Sequence, residues 1–372
     1  MQLNRARLPV RRPRIGVVGG GQLARMLYQA ALDLDLEIGF HIRPGDEGVA
    51  GWSPHVNIGT FETPSLLGFA SGYDAITFEH ELVPAQILIE LEERGATIRP
   101  SATTMATTAD KIQQRALFKQ VGATAVPFTI LNRDNTPTLP AIAKAATGGY
   151  DGRGVVLLET ESALGQLDSA TTWMIESVLP IEAELAVVTV TSLQGKTICY
   201  PAVRTRQAGG ICVEVHWPTG LPREIDQRAE STAVSIAAAA NVVGVLAVEF
   251  FLVAGELLVN EVAPRVHNSG HLTIEAARTS QFENHLRAVA GMPLGSTEML
   301  MPASMLNLIG EVHPQGPPAN GARIHLYGKT PRAGRKIGHL TAIAPDLSQA
   351  RAMAAEAAAR LGVARDGGSR DG

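Results

Sequence analysis

The chain has 372 residues, 45% of them hydrophobic and 18% charged, and a formal net charge of −4. That length supports two or three domains with a substantial core, while the acidic balance argues against a nucleic-acid or polyanion-binding surface as its main business. No apolar stretch reaches the ~18 residues of a membrane helix, and Cys199 and Cys212 form neither a CxxC pair nor a disulfide framework, so a cytoplasmic protein with free thiols is expected.

Arg5, Arg7, Arg11, Arg12 and Arg14 form a basic run with no apolar signal core after it, and residues 1–14 read as a disordered leader. Residues 15–103 alternate as a parallel α/β unit does. Ile15-Gly16-Val17-Val18 is the first strand, followed by a glycine turn and a helix whose Leu23, Met26, Leu27, Ala30, Ala31 and Leu34 share one face. Glu37–Ile42 and Asp74–Phe78 read as further strands, Pro84–Arg94 as a helix, and Thr97–Arg99 as a short closing strand.

A second unit is expected over 104–303, beginning with one long helix, Thr104–Val121. Strands follow at Ala141–Lys144, Val155–Leu158, Trp173–Glu176 and Glu184–Val190, with a subdomain over about 125–190. The Ala-rich run Arg223–Val243 is a good helix by propensity. Residues 304–362 form a small strand set and a last helix, and 363–372 read as a disordered tail.

Glu249 to Glu261 places two acidic residues in an otherwise apolar β-hairpin. With a three-residue loop at Ala254-Gly255-Glu256, Val253 pairs with Leu257 and Glu249 lies opposite Glu261. Like charges so opposed are destabilising, and a cation between them explains the pattern. Oxygen-only ligands favour Mg2+, which takes its remaining ligands from water and nucleotide phosphates. The alternative is that one glutamate faces solvent or pairs with Arg265.

Four other segments carry polar groups in suggestive places. Gly19-Gly20-Gly21-Gln22, between strand and helix, suits either a tight turn or an anion at a helix N-terminus. Gly148-Gly149-Tyr150-Asp151-Gly152-Arg153-Gly154, between two strands, suits a flap folding over nucleotide phosphates. Lys144 just before it is placed either to reach those phosphates or simply to be solvated. Arg265-Val266-His267-Asn268-Ser269-Gly270-His271 leaves the sheet beside the acidic pair, where ligand contacts concentrate. Lys329, Arg332, Arg335, Lys336 and His339 form a late basic cluster, either a pocket for an anion such as a phosphate monoester or a solvated loop.

In this order the motifs resemble the ATP-grasp superfamily and, within it, the 5-(carboxyamino)imidazole ribonucleotide synthetases, from about Arg14 to Leu361. Gly19–Leu23, Gly148–Gly154, Asn260–Arg265, His267–His271 and Gly334–His339 carry the resemblance. It implies an α/β fold: an N-terminal parallel pre-ATP-grasp domain, an ATP-grasp domain and a small β-rich C-terminal domain. The implied activity is carboxylation of aminoimidazole ribonucleotide with ATP and bicarbonate in purine biosynthesis.

By the same resemblance Glu249 and Glu261 hold Mg2+ or Mn2+. Lys111 and Lys144 contact the ATP phosphates, with Gly149, Gly152 and Asn260 also at the nucleotide. The strand edge Glu176-Ser177-Val178-Leu179 holds adenine and Glu184 the ribose. Arg265, His267, Asp151 and Arg153 are the implied catalytic residues. The ribonucleotide and bicarbonate are surrounded by these groups with Gly20, Gly21, Gln22, Leu23, Glu79, Tyr150, Asn268, Lys329 and Arg335. A homodimer and a downstream mutase are implied partners.

Against the family pattern, Ala145, Ala146 and Thr147 follow Lys144 where an arginine is usual, so one positive charge is missing. Val266 replaces a proline, Ala24 a glycine, and Arg43-Pro44 an Asp-Pro. A formate-dependent glycinamide ribonucleotide transformylase, or a nucleotide-binding relative without catalysis, are the rival readings. A nicotinamide enzyme is disfavoured because His41-Ile42-Arg43, with no acid, ends the second strand.

Overall fold

Short apolar runs separated by amphipathic helices fold the first hundred residues into a parallel layer. In the computed structural model, which describes residues 12–132, 137–149, 154–312 and 321–362, β1 (Arg14–Val18), β2 (Glu37–Ile42), β3 (Val56–Ile58) and β4 (Ala75–Phe78) lie in the order β3-β2-β1-β4. Helices α1 (Gln22–Asp33), α2 (Thr63–Ala70) and α3 (Ala85–Glu93) connect or follow these strands. The stripe expected on α1 is there: Leu23, Met26, Leu27 and Ala31 are buried. Arg14, read as leader, opens β1 and donates its N–H to Asp74 (2.9 Å). The strand expected at Thr97–Arg99 is only a bridge from Ile98 to Ile76. The leader up to Arg11 and the tail from 363 lie outside the described residues.

The single helix expected over Thr104–Val121 is two, α4 (Ala102–Ala109) and α5 (Lys111–Gln120). Asp110 divides them because its backbone is extended and its carboxylate accepts the N–H groups of Ile112 (2.8 Å) and Gln113 (3.3 Å), capping α5. The strands β5 (Phe128–Ile130), β6 (Ala141–Ala145), β7 (Val155–Leu158) and β8 (Trp173–Ser177) form a small antiparallel sheet ordered β5-β8-β6-β7, with α6 (Glu161–Leu164) after β7. The glycine loop joins β6 to β7 as expected, and Ala145 N–H donates to the Gly154 carbonyl (2.8 Å) at its base.

The remaining strands make one large antiparallel sheet. They are β9 (Ala183–Thr191), β10 (Thr197–Cys199), β11 (Val203–Ala208), β12 (Ile211–Trp217), β13 (Gly244–Val253), β14 (Glu256–Ala263), β15 (Ala303–Ile309), β16 (Arg323–Leu326) and β17 (Lys336–Ile343). Their order is β14-β13-β9-β11-β12-β15-β17-β16, with β10 on β9. Helix α7 (Arg223–Ala239) ends before the expected Val243 because Asn241 takes φ +54° and the N–H groups of Asn241 and Val242 turn back onto the carbonyls of Ala238 and Ala237. After β14 come a 3-10 turn (Asn268–Gly270), α8 (Thr273–Ala276) and α9 (Gln281–Val289); α10 (Leu347–Arg360) packs behind β15 and β17. The parallel layer docks on the large sheet through α9, since Ile15, Val17, Leu27, Phe282, Leu286, Val190 and Val245 share one core. The C-terminal end of β4 thereby meets the loop after β14, where Arg265 pairs with Glu81.

Candidate active site

The β13–β14 hairpin turns on two residues where three were expected: Val253 pairs with Glu256 across Ala254 and Gly255, both at positive φ (+49° and +75°), as tight hairpins prefer. Glu249 nonetheless faces Glu261, because the register shifts by one between Glu249 and Phe250. Asn260 is the extra residue of this β-bulge. Val259 and Val262 both stay in the core with Val248, Phe250 and Leu252, which leaves the consecutive Asn260 and Glu261 for the site.

Charge at the hairpin is unevenly shared. Glu261 Oε2 is bonded to Lys111 Nζ at the start of α5. Burial alone would raise its pKa, but Lys111, then Lys144 and His267, outweigh burial and hold it well below the usual range. Glu249 goes the other way, raised first by burial and then by the charges of Glu261 and Glu184. Its Oε2 accepts from Asn260 Nδ2 (3.5 Å), and its Oε1 lies 3.5 Å from His267 Nε2. Ser269 N–H donates to His267 Nδ1 (3.3 Å), so the ring of a neutral His267 carries its proton on Nε2, toward Glu249.

Glu184, on β9 beside the pair, has a buried Oε2 with no hydrogen-bond partner among the described residues, and burial pushes its pKa up to about 7. A carboxyl held more tightly protonated in the fold than in the unfolded chain contributes stability that is full below its ordinary value of 4.5 and lost as pH rises to about 7. Glu184→Gln cannot lose that contribution. Thermal melts of the ligand-free chain are therefore expected to show the variant gaining on wild type across this window, and a difference that does not change with pH would remove the effect.

Lys144 is neither solvated nor free. It is 9% exposed, donates to Asn260 Oδ1 (2.9 Å) and pairs with Glu176 Oε2 (2.6 Å), whose other oxygen pairs with Arg115 (2.7 Å). The Glu176 side chain is thus committed to two cations and leaves only backbone for the adenine contact expected there. Beyond it Ser177 and Val178 are exposed and Leu179 is half-buried.

The glycine turn already holds an anion. Glu79 accepts the N–H groups of Gly21 (2.5 Å) and Ala24 (2.9 Å) at the head of α1, a carboxylate where the helix dipole favours one. Gly19, at φ +116°, leaves the room: any side chain there would strike Glu79. Gly20 O accepts from Val49 N–H (3.1 Å). Leu23, expected among the substrate contacts, turns its side chain into the core. Gln22 Oε1 is bonded to Lys329 Nζ, which brings the C-terminal loop onto this turn. Arg335 pairs with Glu47 (2.7 Å) and donates to Thr330 O (2.9 Å).

The late basic cluster is split by burial. Lys336 and His339 are in the interior, and His339 stacks on His325 with centroids 4.6 Å apart while its Nδ1 is bonded to Tyr327 Oη (2.8 Å). Glu275, His325 and His339 bring three ligand atoms within 4.8 Å of one another. The two rings lie 14° from parallel, so their in-plane lone pairs do not converge on one ion.

Arg265 pairs with Glu81 (2.9 Å), tying the loop after β14 to the loop after β4. Asn268 exchanges both amide hydrogen bonds with Asn307 on β15 (2.9 and 2.7 Å). Tyr150, Asp151, Gly152 and Arg153 lie outside the described residues; Gly149 is described at their edge. Sequence reasoning missed Gln114, Arg115, Glu81, Glu47 and Asn307. For the first two a signal existed: Lys111, Gln114 and Arg115 stand at i, i+3 and i+4, one polar stripe on a helix that also buries Leu117 and Phe118.

Three family models match in chain order: a ribonucleotide synthetase preATP-grasp domain at residues 13–109, an ATP-grasp domain at 118–282 and a phosphoribosylaminoimidazole carboxylase C-terminal domain at 303–353. The N5-carboxyaminoimidazole ribonucleotide synthase of Pseudomonas aeruginosa is 37% identical over 361 residues, covering 94% of this chain and 99% of the relative. The solved N5-carboxyaminoimidazole ribonucleotide synthetase of Thermus thermophilus superposes with a TM-score of 0.85 at 38% identity, covering 95% of this chain and 99% of that one. The Aspergillus clavatus enzyme in complex with ADP and 5-aminoimidazole ribonucleotide does so with a TM-score of 0.82 at 28% identity, covering 92% and 96%. At this identity over nearly its whole length, this protein belongs to the N5-carboxyaminoimidazole ribonucleotide synthase family of ATP-grasp ligases.

Proposed function

We propose that the chain carboxylates 5-aminoimidazole ribonucleotide with bicarbonate at the expense of ATP, giving N5-carboxyaminoimidazole ribonucleotide, ADP and phosphate. The observation that carries this, on top of family membership, is the opposed Glu249 and Glu261 with Lys111 and Lys144 beside them. The two carboxylates fit Mg2+ or Mn2+, because hard oxygen donors in this number leave room for water and phosphate ligands, and Lys111 pairs with Glu261 beside them. When bound, the ion neutralises charge on the transferring phosphoryl group.

The chain's own groups do the rest. Backbone at Glu176–Leu179 lines the adenine, and the unpartnered Glu184 oxygen accepts a ribose hydroxyl. Lys111 and Lys144 meet the phosphates. A bicarbonate oxygen attacks the γ-phosphorus and ADP leaves, giving carboxyphosphate. The ribonucleotide's exocyclic amine then takes the carboxyl group, directly or through released CO2, with loss of phosphate and a proton. Arg265, His267 and Asn268 serve as preorganised donors that stabilise the charge developing in these steps. Tyr150, Asp151 and Arg153 of the flap belong to the same proposal, since carboxyphosphate must be kept from water. Gln22, Lys329 and Arg335 serve the ribonucleotide phosphate, and Glu79, already bonded to the turn, its ribose. The domain limits 15–103, 104–303 and 304–362, a cytoplasmic homodimer and transfer of product to a mutase complete the reading.

ADP release from Mg-ATP and bicarbonate is expected to rise when aminoimidazole ribonucleotide is added. Release that instead requires formate and glycinamide ribonucleotide would overturn the assignment in favour of the transformylase.

A further inference from the structure

β14 is the terminal strand of the large sheet, yet its outer edge is not bare. At Val259 the edge is taken by the segment before β5: Val259 N–H donates to Thr124 O (2.8 Å) and Val126 N–H to Val259 O (3.2 Å). Past that point, among the described residues, no strand continues and α5 takes over with side chains. Arg115 donates to Asn260 O (2.6 Å), Val262 N–H donates to Gln114 Oε1 (3.1 Å), and Gln114 Nε2 donates to Val262 O (3.2 Å). Both side chains are in the interior, at 3% exposure for Gln114 and 8% for Arg115. The Asn260 carbonyl belongs to the bulge residue, whose groups are the ones a regular ladder leaves unpaired, and a buried carbonyl without a partner is costly.

The same arginine closes a ring. Its second amine pairs with Glu176, Glu176 pairs with Lys144, and Lys144 returns to Asn260 Oδ1. We propose that Gln114 and Arg115 are positioning residues that select the bulged register of β14, and with it the opposition of Glu249 and Glu261 and the aim of Lys144. In the unbulged register the two-residue turn would set Asn260 opposite Glu249 and Glu261 opposite Val248, which lies in the core; a one-residue shift changes which face a side chain takes. The proposal rests on the reading of this hairpin as the metal–nucleotide site.

The test is the free Mg2+ concentration giving half-maximal stabilisation of the ADP-bound chain in thermal melts, beside that giving half-maximal ribonucleotide-dependent ADP formation and the KM for ATP, in Gln114→Met, Arg115→Met and Arg115→Lys. Outer partners of metal ligands affect metal affinity on the order of tenfold or more. Both methionine variants are expected to need about tenfold more Mg2+, with less effect on the rate at saturating Mg2+. Arg115→Lys, able to reach Glu176 or the Asn260 carbonyl but not both, falls between. Variants that melt lower but keep the wild-type Mg2+ requirement would show a merely structural clamp and overturn the proposal. If Arg115→Met does not fold, Gln114→Met and Arg115→Lys decide. Should Glu261→Gln also keep the wild-type requirement, the hairpin reading beneath the proposal fails, and the proposal with it.

Discussion

Glu261→Ala is expected to lower ribonucleotide-dependent ADP formation by about a thousandfold, the scale on which removing one group poised at developing charge acts. Two losses coincide in this variant. The proposed metal ligand disappears, and Lys111 loses the partner that fixes it. The fold should survive, since Glu261 is only half-buried and the core positions Val259 and Val262 on either side are untouched. Steady-state turnover, with a thermal melt to confirm folding, measures it; a rate within tenfold of wild type would take the hairpin out of the chemistry.

Glu176→Leu is expected to be the most destabilising substitution in the site, by about 3–5 kcal/mol, the usual consequence of removing one partner of a buried ion pair. Here one carboxylate serves two cations, and both Arg115 and Lys144 are buried with it. Lysine can escape by losing its proton; arginine does not. Denaturant unfolding reads the change directly, and a loss below about 1 kcal/mol, the value of an exposed pair, would mean that water reaches this cluster.

Much of the fold was legible because its signals are local. The strands Glu37–Ile42 and Val155–Leu158 form with the limits their composition suggested, and the stripe on α1 is the buried one. In the long helix the reading failed because a polar side chain had taken over a backbone task. Asp110 splits the helix expected over Thr104–Val121 by capping its second half, a stop-and-start signal available in the sequence. The hairpin is subtler. A three-residue loop and a regular ladder give the same Glu249–Glu261 pairing as a two-residue turn and a bulge, so the opposition was predicted through the wrong geometry. The order of motifs pointed to the candidate site, but the contacts of Glu176 with Arg115, of Glu79 with the glycine turn and of Arg265 with Glu81 join residues 61, 58 and 184 positions apart or bridge separate layers, and no periodicity carries such information.

Two of the three matched regions, 118–282 and 303–353, are separate stretches of sequence but one piece of sheet. β12 from the first pairs with β15 from the second over Glu214–Trp217, and Arg351 on α10 reaches back to Glu214 (2.8 Å). A fragment ending before β15 would leave a seven-residue strand, Ile211–Trp217, with an open hydrogen-bonding edge, the kind of edge that templates aggregation. It would also strand Glu214, whose side chain is 6% exposed, without the Arg351 half of its charge. The C-terminal segment is therefore not a detachable module, and exchanging it between relatives means matching a strand interface as well as the candidate site.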